Sequence, residues 1–256
     1  MLLKDRKIVV TGLANEKSIS WGVAKSLHRQ GARLIFTYRK AKSMRKIHKL
    51  LLEHDITPVC IVHCDAMDDE SMHAAFQEIG AQAGSLHGLV HSIAYADAEE
   101  LQKEYAQVSR EGYLLAQNAS AYSLIAMARY ASNLMTEGGS IVTQSYLGSQ
   151  RAVRHYGVMG AAKAALESSV RYLADDLGKR AIRVNAVSSG PILTSASSAI
   201  PGIGEKLANA AASAPLRRTV DQEEVGDASA FLLSSLSRGI TGEIIHVDAG
   251  HHLVGI

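Results

Sequence analysis

The chain has 256 residues, of which 47% are hydrophobic and 20% charged, and 27 Lys and Arg face 25 Asp and Glu for a net charge of +2. Such a chain buries roughly three-quarters of its unfolded surface without help from disulfides or metals. The composition excludes a collagen, a coiled coil, a disulfide scaffold and a disordered tail, and the charge balance argues against a wholesale nucleic-acid binder.

The N-terminal stretch Met1-Leu2-Leu3-Lys4-Asp5-Arg6-Lys7 is charged before any apolar run begins, so no secretory leader is expected. The first strand is expected at Lys7–Thr11 and a helix at Trp21–Gln30. Between them lies Gly12-Leu13-Ala14-Asn15-Glu16-Lys17-Ser18-Ile19-Ser20-Trp21-Gly22. A glycine at a strand end and another inside the next helix suit close approach of backbone to a pyrophosphate, which the helix N-terminus would then hold. This is not the standard G-x-G-x-x-G, and an ordinary turn with Ser18 as N-cap is the plainer alternative.

The second strand, Arg33–Tyr38, runs into Arg39 and Lys40. An NAD enzyme of this kind often has an acid here for the ribose diol. The basic pair instead suits a 2′-phosphate, so NADPH is the expected cofactor in preference to NADH. Lys42, Arg45, Lys46 and Lys49 read as a solvated helix face.

A third strand is expected over Pro58–Val62, followed by a helix over Ser71–Ala83. Cys60 and Cys64, the only cysteines, have poor zinc spacing and read as reduced structural thiols, which points to the cytoplasm. Further strands are expected at Gly88–Ile93, Ser140–Thr143, Ile182–Val187 and Glu243–Val247. The charge-free stretches Gly112–Ala128 and Val184–Gly204 are interrupted by polar residues or prolines, so no membrane span is expected. His251 and His252 lack a third ligand, so no metal is expected either.

Short strands that are apolar on both faces alternate with helical patterns. The fold class is therefore α/β: a Rossmann-like doubly wound parallel sheet of about seven strands in three layers. No linker or repeat divides it, which gives one domain over residues 1–256.

The chemistry is expected after the fifth strand, where Ser145-Tyr146-Leu147-Gly148 precedes Tyr156 and Lys163. Seven residues are about two helical turns, so Tyr156 and Lys163 project from similar sides of a helix beginning near Tyr156. A phenol beside an ammonium can hydrogen-bond a substrate carbonyl while the cation orients a nicotinamide ribose. A simple short-chain alcohol dehydrogenase would carry Y-x3-K, but position 159 is Met.

These features resemble the enoyl-acyl carrier protein reductases, the divergent branch of the short-chain dehydrogenase/reductase superfamily. The likeness runs over nearly the whole chain. It rests on Gly12 with Ser18-Ile19, His91-Ser92-Ile93-Ala94, Ser145-Tyr146-Leu147-Gly148, Tyr156 to Lys163, Arg183-Val184-Asn185-Ala186, Gly190-Pro191-Ile192 and His246-Val247-Asp248. The resemblance implies reduction of a trans-2-enoyl thioester on acyl carrier protein, the last reduction of fatty-acid elongation, by a cytoplasmic homotetramer. Its contact faces would be the helices Arg110–Met135 and Tyr156–Leu177.

Carried over by residue, the resemblance makes Tyr156 the donor to the thioester carbonyl and puts Lys163 on the nicotinamide ribose. Tyr146 is a further catalytic and substrate-side residue without an assigned step. Gly12, Ser18, Ile19, Arg39, Lys40, Asp65, Ala66, Ser92 and Ile93 would hold the cofactor, with Asp65 and Ala66 at the adenine. Ile192, Leu193, Thr194, Ser195 and Ala196 would contact the nicotinamide and lead into a substrate lid over residues 193–213. Ala96 would line the substrate. The chain departs from the family pattern at Leu193, where an Arg is usual, at Gly157, where an Asn is usual, at Ser20, and in the Ala/Ser-rich lid. A 3-oxoacyl reductase or another short-chain dehydrogenase/reductase, and a homologue that binds nucleotide but has lost turnover, remain the alternatives.

Overall fold

The computed structural model describes residues 1–254. Seven strands form one parallel sheet: β1 (Lys7–Val10), β2 (Arg33–Tyr38), β3 (Cys60–His63), β4 (Gly88–His91), β5 (Gly139–Tyr146), β6 (Ile182–Ser189) and β7 (Ile244–Val247). Their spatial order is β3-β2-β1-β4-β5-β6-β7, so the chain reverses direction across the sheet between β1 and β4. Clefts in doubly wound sheets open at such a switch point, beyond the carboxyl ends of the strands.

Alternate residues of each strand serve opposite faces. Ile8 and Val10 join a core with α1 (Ile19–Arg29), α2 (Ala41–Glu53) and α9 (Gln222–Leu233). Val9 joins the opposite core, with α3 (Asp69–Ala83), α6 (Ser123–Leu134) and α7 (Gly157–Gly178). Helices thus cover both faces, which is why the strands read as apolar throughout.

Two sequence expectations shift locally, and the cysteines stand as expected. Pro58 has no N–H to give the ladder; pairing opens with the Val59 N–H to the Leu34 carbonyl, and β3 itself begins at Cys60. Cys60 and Cys64 are both free and buried in one core, and burial pushes the Cys64 thiol up to about 12. The expected helix over Arg110–Met135 is broken into α5 (Arg110–Gln117), a π-helical turn (Asn118–Tyr122) and α6. A short helix, α4 (Ala98–Gln102), precedes α5, and α8 (Ile203–Ser213) lies between β6 and α9.

Among the described residues no helix is long and apolar enough to cross a membrane. His251 and His252 are engaged elsewhere: Ser213 Oγ lies 3.0 Å from one ring, and Asp248 lies 3.0 Å from the other.

Candidate active site

The cleft sits at the switch point. Gly12 follows β1 with φ of +78°, and a Cβ there would overlap the Ser92 carbonyl oxygen, which follows β4. Only glycine fits. Thr11 stitches the two strand ends together, donating to the Val90 carbonyl at 3.0 Å and accepting from the Ser92 N–H at 3.2 Å.

The residues of the next helix divide the labour differently from what their spacing suggests. Ser18 occupies the N-cap position of α1, but its hydroxyl accepts from the Ala14 and Asn15 N–H groups, both at 3.1 Å, instead of capping. The loop is folded by that hydroxyl. No side chain caps the first turn of α1, which also carries no acid, so the positive end of the helix faces the cleft uncompensated. Gly22 is a correction: a Cβ there would collide with the Gln222 carbonyl, so it serves packing of α1 on α9 and not the approach of a phosphate.

One cleft of about 590 Å³ brings together Gly12, Ser18, Ile19, Ser92, Ile93 and Ala96 from the amino-terminal half of the sheet. From the other half it gathers Tyr146, Tyr156, Lys163, Ile192, Thr194, Ser195 and Ala196. Arg39, Lys40, Asp65, Ala66 and Leu193 lie outside this cleft. Arg39 and Lys40 are exposed beyond β2, and Asp65 and Ala66 follow β3, so both pairs extend the same carboxyl edge. A ring nitrogen of His63 lies 3.1 Å from the Arg39 carbonyl and ties the two together. Leu193 is 52% exposed and faces a separate shallow depression beside α9.

The floor of the cleft is built by β5 and α7. Tyr156 stands at the N-cap position of α7, and Tyr146 ends β5; their rings meet edge-on, with centroids 4.8 Å apart and planes at 71°. The intervening turn fits only because it is bare. A Cβ on Gly148 would lie 2.5 Å from the Tyr156 ring, and one on Gly160 would lie 2.7 Å from the Gly148 carbonyl. Burial raises the pKa of Tyr156, and Tyr146 adds to that; burial raises Tyr146 as well. Both phenols therefore keep their protons at neutral pH.

Lys163 follows two turns later, 5% exposed, and donates to the Gln144 carbonyl at 2.7 Å. Burial lowers its pKa to about 8, against an opposing pull from Glu167.

Several lining residues stand beside the expected site residues. Gln144 and Ser189 come from strand ends; Leu101, Met159, Ile200 and Ile203 supply apolar wall; and Lys206 reaches in from α8, donating to the Arg154 carbonyl at 2.5 Å. Met159 is buried with its sulfur 3.7 Å from Ser120 Oγ, whose hydroxyl donates to the Tyr95 carbonyl at 3.2 Å, accepts from the Tyr95 N–H at 3.0 Å and so holds the segment before Ala96. From the segment expected as a lid, residues 193–213, Thr194 to Ser197, Ile200, Ile203 and Lys206 line the cleft, and Asn15 Nδ2 donates to Ser195 Oγ at 2.9 Å.

A glycine-lined switch-point cleft over a tyrosine pair and a buried lysine matches the enoyl reductase pattern, and the sequence comparison decides it: residues 12–252 match the family described as Enoyl-(Acyl carrier protein) reductase. The chain belongs to the enoyl-(acyl carrier protein) reductase family. Among members of that family, the enoyl-acyl-carrier-protein reductase (NADH) of Bacillus cereus is 49% identical over 254 residues, 99% of each chain. The enoyl-acyl-carrier-protein reductase (NADPH) of Staphylococcus aureus strain MRSA252 is 48% identical over 252 residues, 98% of each. A solved enoyl reductase from Bacillus cereus, crystallised with NADP+ and an indole naphthyridinone, superposes with a TM-score of 0.98 at 49% identity. That superposition covers 100% of this chain and 99% of the other. The family's shared fold is thus this chain's fold, and these relatives are named for different cofactors, one for NADH and the other for NADPH.

Proposed function

We propose that this protein is an NAD(P)H-dependent enoyl thioester reductase of fatty-acid elongation, acting as one domain on substrates carried by acyl carrier protein. The observation that carries the reading is the Tyr146–Tyr156 pair set beside buried Lys163 on the floor of the switch-point cleft. Family membership and the names of its relatives support the substrate class.

The residues present fit a nicotinamide dinucleotide. Gly12 leaves room where a side chain would not fit, the first turn of α1 offers uncapped N–H groups, and the Gln144 side-chain oxygen is buried in the cleft without a partner. Gly12, Ser18, Ile19, Ser92 and Ile93 would hold the phosphates and ribose on one side, and Ile192, Thr194, Ser195 and Ala196 would close over the nicotinamide. Asp65 and Ala66 would flank the adenine. When bound, the reduced nicotinamide supplies hydride to the β-carbon of the enoyl thioester.

The protein's own task is the negative charge that develops on the thioester oxygen. Tyr156 donates its proton in a hydrogen bond to that oxygen, from a site dry enough to strengthen the bond. Tyr146 packs the Tyr156 ring edge-on and limits its rotation. Lys163, charged at neutral pH, orients the ribose hydroxyls and adds positive potential beneath the phenol. Residues 193–213 act as a lid whose fit to the acyl chain comes from the apolar wall at Ile200 and Ile203.

Arg39 and Lys40 support a preference for NADPH. They are exposed, free to turn, and placed at the end of β2 next to the strand that leads into Gly12. A tetramer built through the helices of residues 110–135 and α7 is supported by exposed Tyr113 and Leu114 on α5 and Tyr172 on α7, the last 75% exposed. Reduced Cys60 and Cys64 support a cytoplasmic setting.

The deciding experiment follows nicotinamide absorbance with purified protein, a crotonyl thioester and either NADPH or NADH. Oxidation of NADPH faster than NADH is expected. No oxidation of either would overturn the reductase, and equal or better use of NADH would overturn the reading of Arg39 and Lys40.

A further inference from the structure

Glu167 is a buried carboxylate that the mechanism above does not use. It lies on α7 one turn beyond Lys163, and one of its oxygens, Oε1, accepts two hydroxyl hydrogen bonds: from Ser145 at 2.5 Å and from Ser149 at 2.6 Å. Ser145 is the next-to-last residue of β5, and Ser149 closes the 3-10 turn that follows. The two hydroxyls therefore bracket Tyr146, Leu147 and Gly148. Ser149 Oγ also lies 2.9 Å from the Tyr146 carbonyl, but it has one proton, and the shorter contact is to the carboxylate. Hydrogen bonds to an ionised acceptor are the shorter and stronger kind.

The bracketed turn is in tight contact with α7. Gly148 packs on the Tyr156 ring and its carbonyl on Gly160, so drawing Ser145 and Ser149 toward Glu167 presses Tyr146 and Gly148 against Tyr156. Gln144, the residue before the bracket, takes the Lys163 ammonium. One face of α7 thus presents Tyr156, Lys163 and Glu167 in succession to residues 144–149.

We propose that Glu167 is a positioning residue for the reduction: its carboxylate sets the Tyr146–Gly148 turn against the Tyr156 phenol and holds a negative charge beside the buried Lys163 ammonium. This rests on the reading of the site given above. The charged and titratable groups facing the carboxylate are Lys163 on its own helix and His246 on β7; His252, Asp248 and Glu243 surround that histidine, and His91 on β4 faces the same ammonium, itself kept neutral by burial. His246 is held neutral by burial, so the ammonium is the charge that Glu167 balances. The carboxylate sits one turn beyond Lys163 on α7 without touching the ammonium, and its charge opposes the lowering that burial imposes on Lys163.

The test compares the wild type with Glu167→Gln and Glu167→Ala, reading kcat, enoyl-thioester KM, cofactor affinity by nicotinamide fluorescence, and thermal midpoint, at about pH 6.5 and about pH 8.5. Glu167→Ala should lower kcat roughly tenfold or more with KM within about threefold, the split expected when a transition-state contact is misplaced. Glu167→Gln keeps an oxygen for both hydroxyls but no charge. It should recover most of the lost turnover at the lower pH and little at the higher, because Lys163 now loses its proton earlier. The alkaline limit of cofactor binding should move down with it.

If Glu167→Ala does not fold, that limit in Glu167→Gln decides: a downward shift supports the proposal, and an unmoved limit overturns it. Variants that lose thermal stability while kcat and the pH profile stay put would make Glu167 merely structural and overturn it too. A wild type without turnover on any enoyl thioester would instead overturn the reductase reading, and the pH limit of cofactor binding would still decide the role of Glu167 toward Lys163.

Discussion

The floor and the roof of the cleft are built on opposite principles. On the floor, Lys163, Gln144 and Glu167 are buried, with the Lys163 ammonium fixed on the Gln144 carbonyl and the Glu167 carboxylate on the Ser145 and Ser149 hydroxyls. The roof, residues 193–213, has Ala210 as the one buried side chain of α8. It is tied down by a few exchangeable bonds, chiefly Asn15 to Ser195 and Lys206 to the Arg154 carbonyl. Chemistry needs pre-set dipoles that do not relax, whereas substrate access needs a cover whose opening costs little. The same polypeptide supplies both by changing composition over a few residues.

Predictions that break this contrast start with the largest effect. Tyr156→Phe should cut turnover about 100-fold or more while cofactor affinity stays within about threefold. Steady-state kinetics with fluorescence titration checks this, and a parallel loss of cofactor binding would make the phenol a cofactor ligand.

Next comes the pH dependence of the floor. Lys163 has a pKa lowered by burial to about 8, so turnover that needs the ammonium should be present below that pH and decline as pH rises through it. Stability from this group runs the other way. Between about 8 and the ordinary lysine value of 10.5 the unfolded chain binds more protons, so stability grows with pH over that window. Parallel pH series of kcat and chemical unfolding would show the two opposed trends; a shared decline in both would remove Lys163 as the cause.

The roof should respond more weakly. Asn15→Ala removes one hydrogen bond across the cleft and should raise cofactor KM roughly threefold with kcat little changed. A collapse of kcat instead would mean that the roof is as pre-set as the floor.

The smallest effect lies outside both. The Ser20 hydroxyl is fully buried in α1 without a partner. Ser20→Ala should raise the thermal midpoint by about 2–4 °C, since an orphaned hydroxyl costs about 1 kcal/mol and alanine is the better helix former. A lower midpoint would show that the hydroxyl has a partner after all.

Much of this was legible in advance, and the failures have a pattern. The parallel sheet was readable because strands buried on both faces have no polar alternation to hide them. Tyr156 and Lys163 were readable because helix geometry turns a spacing of seven into a shared face. Gly22 was misread because a glycine that admits a phosphate and a glycine that admits a neighbouring helix look alike until the neighbour is known. Ser18 stands at the expected cap, but a serine hydroxyl serves whichever N–H groups the loop brings near. Gln144 and Leu101 gave no sign because their part in the cleft depends on segments far away in the chain.

The sequence by itself determined the elements, the glycine at the end of the first strand and the tyrosine–lysine spacing, all of which are local consequences of backbone geometry and hydrophobic period. Tertiary structure alone decided which hydroxyl meets which carboxylate, which glycine faces which helix, and that Ser145, Ser149 and Glu167 converge behind the two tyrosines. Those contacts join residues from different elements, and a side chain's partner is set by the packing of whole elements, which no local period encodes.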